Sequence, residues 1–129
     1  MIVSALTTRG LCADVLRLTL VEHEMVTVEL VLEEVERTLR EKFRMPSDLV
    51  AADLTLLRRH SVQPTAPAPK SSPIPDEDDA RILATALAAG ADVLIAGDRD
   101  FLDVRDRIQA IIVTDPRGFW EMHRRGRLG

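Results

Sequence analysis

Apolar residues recur at helical spacing through most of this chain, and short β-branched runs interrupt them. Val28, Val31, Leu32, Val35 and Leu39 fall on one face of residues 29–42, which predicts an amphipathic helix. Glu33–Arg37 and Glu36–Arg40 stand at i,i+4 on its polar side and are expected to pair. Cys12, Val15, Leu16, Leu18 and Leu20 predict a second helix over residues 12–22. Residues 1–8 read as a helix fragment with no start signal. Residues 25–28 form a β-branched run and predict a short strand. Ser47, after Pro46, is a natural N-cap for a helix through about Arg59.

Five of the seven prolines lie in residues 61–75, which excludes a helix there. That stretch predicts a short edge strand near Val62 and then an extended loop inside one domain, residues 1–129. A helix over residues 78–89 is stopped by Gly90. Residues 93–96 and 111–113 are continuous apolar runs, the pattern of strands buried on both faces. Asp115 and Pro116 fit the cap and first position of a last helix. Alternating helices and strands of this kind predict an α/β fold with a small parallel sheet between helices.

Composition narrows the function classes. Hydrophobic residues make up 46% and charged residues 29% of 129 positions, an ordinary globular balance. Net charge is −4, so no global basic attraction to nucleic acid exists. The run from His123 to Arg127 is locally basic, a pattern of solvated helix ends as well as of phosphate contacts. Cys12 is the only cysteine, which excludes an internal disulfide and a cysteine-based zinc site. No apolar stretch is long enough for a membrane span, and the N-terminus does not read as a signal peptide, so a cytoplasmic protein is expected.

The candidate chemistry lies in the acids. Asp76, Glu77 and Asp78 open a helix, where acids commonly cap backbone N–H groups. Asp79 differs, because it shares a face with Ile82, Leu83 and Ala86, and a carboxylate there needs a partner or a metal. Asp98 and Asp100 flank Arg99 in a tight turn after an apolar strand, at the sheet end where ligands bind in α/β folds. Glu34 borders the apolar face of its helix, where a rim salt bridge and a site role are equally open. Carboxylates gathered at one spot suit a hard divalent cation. His23, His60 and His123 show no ligand spacing and are expected at element ends; Ser4 has no nearby base.

These residues resemble a known family. The run from Asp78 to Phe101, with its helix of small residues, apolar strand and Gly97-Asp98-Arg99-Asp100-Phe101 turn, is similar to the C-terminal half of a PIN domain. That is the ribonuclease fold of many bacterial toxin–antitoxin toxins (VapC-like). Asp79, Asp98 and Asp100 match its acids, and its Glu maps onto Glu34. Residues 112–119 resemble its final strand and the helix after it. The resemblance implies a Mg²⁺- or Mn²⁺-dependent endoribonuclease. Glu34, Asp79 and Asp98 would hold metal, and Asp100 would be an auxiliary member of the catalytic set. RNA is the implied substrate, with Arg99 and Arg117 as candidate contacts, and an antitoxin protein and a second copy of the chain are the implied partners.

Three departures stand out. Ala96 replaces the usual hydroxyl residue, and Val28 replaces a Ser common before the Glu helix. Family members also begin with a strand ending in Asp, followed by a helix like residues 2–6. That strand and its Asp would precede Met1, so the chain is expected to be an N-terminally truncated PIN domain. A catalytically impaired remnant that binds a protein partner is the alternative.

Overall fold

Helices and short parallel strands alternate along residues 1–126, the part of the chain that the computed structural model describes. In order these are α1 (Ile2–Thr7), α2 (Leu11–Glu22), β1 (Val26–Val28), α3 (Glu29–Glu41), α4 (Ser47–Arg58) and β2 (Ser61–Gln63). After the Pro-rich loop come α5 (Glu77–Ala88), β3 (Val93–Ile95), α6 (Arg99–Leu102), a 3₁₀ turn (Arg105–Arg107), β4 (Ile112–Thr114) and α7 (Pro116–Arg124). The α/β class holds. Arg127, the end of the basic run, lies outside the described residues.

The small parallel sheet is in two pieces. β1 pairs in parallel with β2, Thr27 opposite Val62, and β3 pairs in parallel with β4, Leu94 opposite Val113. Among the described residues neither β1 nor β3 has a partner on its other edge. A cavity of about 370 Å³ lies between those edges, lined by all three residues of β1 and of β3 and by Val31, Ile82 and Phe119. This corrects one expectation. Residues 93–95 are half-buried rather than fully buried, because one side of β3 borders the cavity, and in residues 111–113 Ile112 is exposed while Ile111 and Val113 are buried.

The apolar stripe of α3 supplies much of the core. Leu32 and Leu39 are fully buried, as are Val50 and Leu57 of α4 and Val15 of α2. Val28, Ile82, Leu83, Ala86, Phe101, Ile111 and Val113 form the cluster under the second sheet. Truncating a buried Leu of this kind costs about 2–5 kcal/mol. Gly118 lies so close to the Thr114 hydroxyl that a Cβ there would overlap it, which fixes α7 tightly against β4.

Two local expectations change. Ser47 is the first residue of α4 rather than its cap; the cap position is Pro46, and the Ser47 hydroxyl accepts from Arg40 at 2.6 Å. Arg40 also reaches Glu36 at 3.4 Å as expected, but Glu33–Arg37 is not among the ion pairs of the described residues. Among the described residues no helix is long and apolar enough to cross a membrane.

Candidate metal centre

Asp79 stands in the first turn of α5. Asp76 caps this helix, its Oδ1 accepting from the Asp79 N–H at 2.9 Å. Arg81 draws the outer acids away, Glu77 at 2.8 Å and Asp78 at 3.7 Å. Asp79 lies on the side of Ile82, Leu83 and Ala86 and is half-buried, as its spacing predicted.

Asp98 and Asp100 come from the carboxyl end of β3. The segment predicted as a tight turn is a short helix, α6, capped by Asp98 Oδ1, which accepts from the Asp100 N–H at 2.9 Å. A cap leaves the second carboxylate oxygen free. Asp79, Asp98 and Asp100 each place one oxygen so that all three lie within 4.8 Å of one another.

Such crowding is costly for anions. Burial, first, and then the charges of Asp76, Asp98 and Asp100, with a hydrogen bond to Asp100, push the Asp79 carboxyl up to about 7. Without a cation Asp79 thus holds a proton over much of the range below neutrality. An all-carboxylate donor set at this spacing fits a hard, oxygen-seeking divalent ion such as Mg²⁺ or Mn²⁺.

Glu34 is not in this oxygen triangle. It lies in the second turn of α3, lining a smaller hollow with Met1, Val31, Thr38, Ala96 and Gly97. Burial and the charges of Asp78 and Asp76 raise its pKa, so it feels the same negative region, and the Arg37 charge offsets this in part. Arg99 is highly exposed and pairs with Asp103 at 3.3 Å, away from the acids of the triangle. Arg117 is exposed on the first turn of α7.

Two features escaped the sequence reading. α3 has no side-chain cap of its own, since Val28 occupies that position. The Thr65 hydroxyl reaches across from the Pro-rich loop instead and accepts from the Leu30 N–H at 3.0 Å. One residue on, the Ala66 N–H donates to Thr85 Oγ1 of α5 at 2.8 Å. The loop therefore ties together the two helices that carry Glu34 and Asp79. The second feature is a histidine pair: His23 Nε2 and His123 Nδ1 lie 3.1 Å apart. The only signal for the Thr65 contact was a hydroxyl among prolines.

Residues 1–100 match the family model described as PIN domain. No curated protein matches the chain.

Proposed function

The chain belongs to the PIN domain family, a family of nucleases, and on that premise we propose that it is a divalent-metal-dependent endoribonuclease, the toxin of a toxin–antitoxin pair. The observation that carries this reading is the oxygen triangle of Asp79, Asp98 and Asp100 at the carboxyl end of β3. Among the described residues none of the three acids pairs with an arginine or lysine, so a cation is the natural counter-charge. Asp79, Asp98 and Asp100 would hold the ion, and Glu34, outside the triangle, would add to the negative charge that attracts it. When bound, Mg²⁺ or Mn²⁺ supplies polarisation of a phosphodiester and a more acidic attacking water.

The chain's own residues do the rest. Asp98 holds its carboxylate in place through the α6 cap, and Asp76 does the same for the backbone of Asp79. The raised pKa of Asp79 makes it the group that gives up a proton as the ion enters. Arg99 and Arg117 are the cations offered to the RNA backbone, needed because the chain is net negative. A small antitoxin that covers the acids, a cytoplasmic setting and dimerisation belong to the same reading.

The slot between β1 and β3 bears on how active this form is. The Met1 backbone nitrogen lies beside Gly97, just past the carboxyl end of β3, and Met1 lines the slot. An extended segment joined ahead of Met1 would enter there and run parallel to β1 and β3, pairing with both. We therefore propose that the slot takes an extended strand, joined ahead of Met1 or supplied by a partner protein, and that the filled slot belongs to the competent nuclease; a catalytically impaired chain that binds a partner protein there is the alternative.

The test is cleavage of single-stranded RNA with Mg²⁺ or Mn²⁺, run on the chain with and without an upstream apolar strand, beside Asp79→Asn. Metal-dependent cutting that Asp79→Asn abolishes supports the reading. Cutting that survives both chelation and Asp79→Asn sinks it. Activity only in the extended form supports the strand proposal.

A further inference from the structure

We propose that His23 and His123 form a second cation site, distinct from the aspartates, for a divalent transition metal of the Zn²⁺ class. His23 ends α2, and His123 lies in the last turn of α7. The fold brings them together across 100 residues of sequence, with His23 Nε2 and His123 Nδ1 3.1 Å apart. Tetrahedral zinc, with Zn–N bonds of about 2.0–2.1 Å, separates its ligand nitrogens by about 3.3–3.4 Å. A small ring adjustment therefore turns the pair into two ligands of one ion.

A second observation selects the ligand atoms. The far nitrogen of His123, Nε2, lies 3.0 Å from Glu22 Oε2. Its N–H donates to that carboxylate, which leaves Nδ1 with the free lone pair. A carboxylate behind an imidazole is the arrangement that orients metal-bound histidines and raises their basicity. Without metal, His23 Nε2–H donates to His123 Nδ1. With metal, His23 moves its proton to Nδ1 and both facing nitrogens bind.

The rings are also held. His23 packs edge-on to Phe119, centroids 5.3 Å apart, and its plane stands 78° from that of His123. Both histidines are half-buried, so a hydrated ion reaches them and water fills the remaining positions. Imidazole nitrogens prefer Zn²⁺, Ni²⁺ or Co²⁺, whereas the carboxylate triangle prefers Mg²⁺ or Mn²⁺. The two sites thus sort cations by chemistry. His23 precedes β1 and His123 follows β4, whereas Asp98 and Asp100 follow β3. A bound ion would fasten the end of α2 to α7.

The experiment is a Zn²⁺ titration of the whole chain in excess Mg²⁺, followed by the imidazole Cε1–H resonances. One equivalent is expected to shift His23 and His123 together, leave His60 in place and raise Tm. His23→Gln and His123→Gln are each expected to weaken Zn²⁺ binding at least about 10-fold, Glu22→Gln about 10-fold, and Asp79→Asn not at all. The unaltered chain alone decides the matter if a variant fails to fold. Histidine resonances that do not move, or Zn²⁺ binding lost in Asp79→Asn and kept in both histidine variants, would overturn the proposal.

Discussion

Glu29 and Asp79 both stand in the first turn of a helix, and their surroundings treat them in opposite ways. Arg58, from the end of α4, grips Glu29 with two nitrogens at 2.7 and 3.2 Å, and that hydrogen bonding holds its carboxyl below the usual range. Asp79 has acids for neighbours, and burial and repulsion push it up to about 7. Arg81 sharpens the contrast within α5 by taking Glu77 and Asp78 and leaving Asp79 turned inward. An acidic residue at a helix start is thus uninformative by itself; what marks a site is an acid from which the fold withholds a counter-charge.

The largest effect is expected from Asp79→Asn, which should lower metal-dependent RNA cleavage by about 10²-fold or more. The same change should stabilise the metal-free protein at neutral pH, because it removes an anion that the cluster repels. Thermal unfolding with and without Mn²⁺ checks both halves. A variant that is inactive and also less stable would break the comparison, since the fold would then be shown to favour the Asp79 carboxylate rather than to repel it.

Asp98→Ala comes next. It should abolish metal binding and, by removing the α6 cap, cost a further ~1 kcal/mol. Asp98→Asn keeps a capping oxygen, so it should lose the metal and keep the stability. Calorimetric Mn²⁺ titration beside urea unfolding separates the two roles.

A third expectation is the pH dependence of the empty site. The folded pKa of Asp79, about 7, lies above its ordinary 3.8, so between these values the folded chain keeps a proton that the unfolded chain has lost. Stability of the metal-free protein should therefore fall as pH rises through that window, by on the order of 1 kcal/mol once solvent screening is allowed for. Saturating Mn²⁺ should reverse the slope, because the ion binds the ionised form. Melting curves from pH 4 to 8 test this, and a flat metal-free profile would remove the contrast with Glu29.

The smallest effect belongs to Glu29→Gln. Its ion pair is exposed, so the substitution should leave cleavage unchanged and barely move Tm. A large loss of activity would mean that the paired acid also serves the site.

What the sequence made legible was whatever depends on near neighbours. The stripe from Val28 to Leu39 specified α3, and the spacing of Asp79 with Ile82, Leu83 and Ala86 placed that acid inward, because both follow from helical period alone. Asp115 and Pro116 specified the start of α7, and Asp115 does accept from the Gly118 N–H at 2.7 Å. The divided sheet was harder to read. An apolar run such as residues 93–96 looks the same whether its neighbour is a strand or a cavity. The Thr65 cap and the histidine pair were hidden because each joins residues far apart in sequence, across 35 and 100 positions. Glu34 remains the least determined acid: its period put it on a rim, and the fold puts it near the triangle without joining it.

The divided sheet has a consequence for how the molecule opens. Each strand pair closes its own β-α-β circuit, β1 to β2 through α3 and α4, and β3 to β4 through α6. No ladder hydrogen bond crosses between them among the described residues, so the two circuits are expected to open as separate units, joined by packing of α2 on α7 and of α5 on β1 and α3. Amide exchange at Thr27 and at Leu94 should then report two different opening free energies. Anything that hydrogen-bonds to both inner edges would merge them into one, and the two exchange rates would converge on a single, slower value.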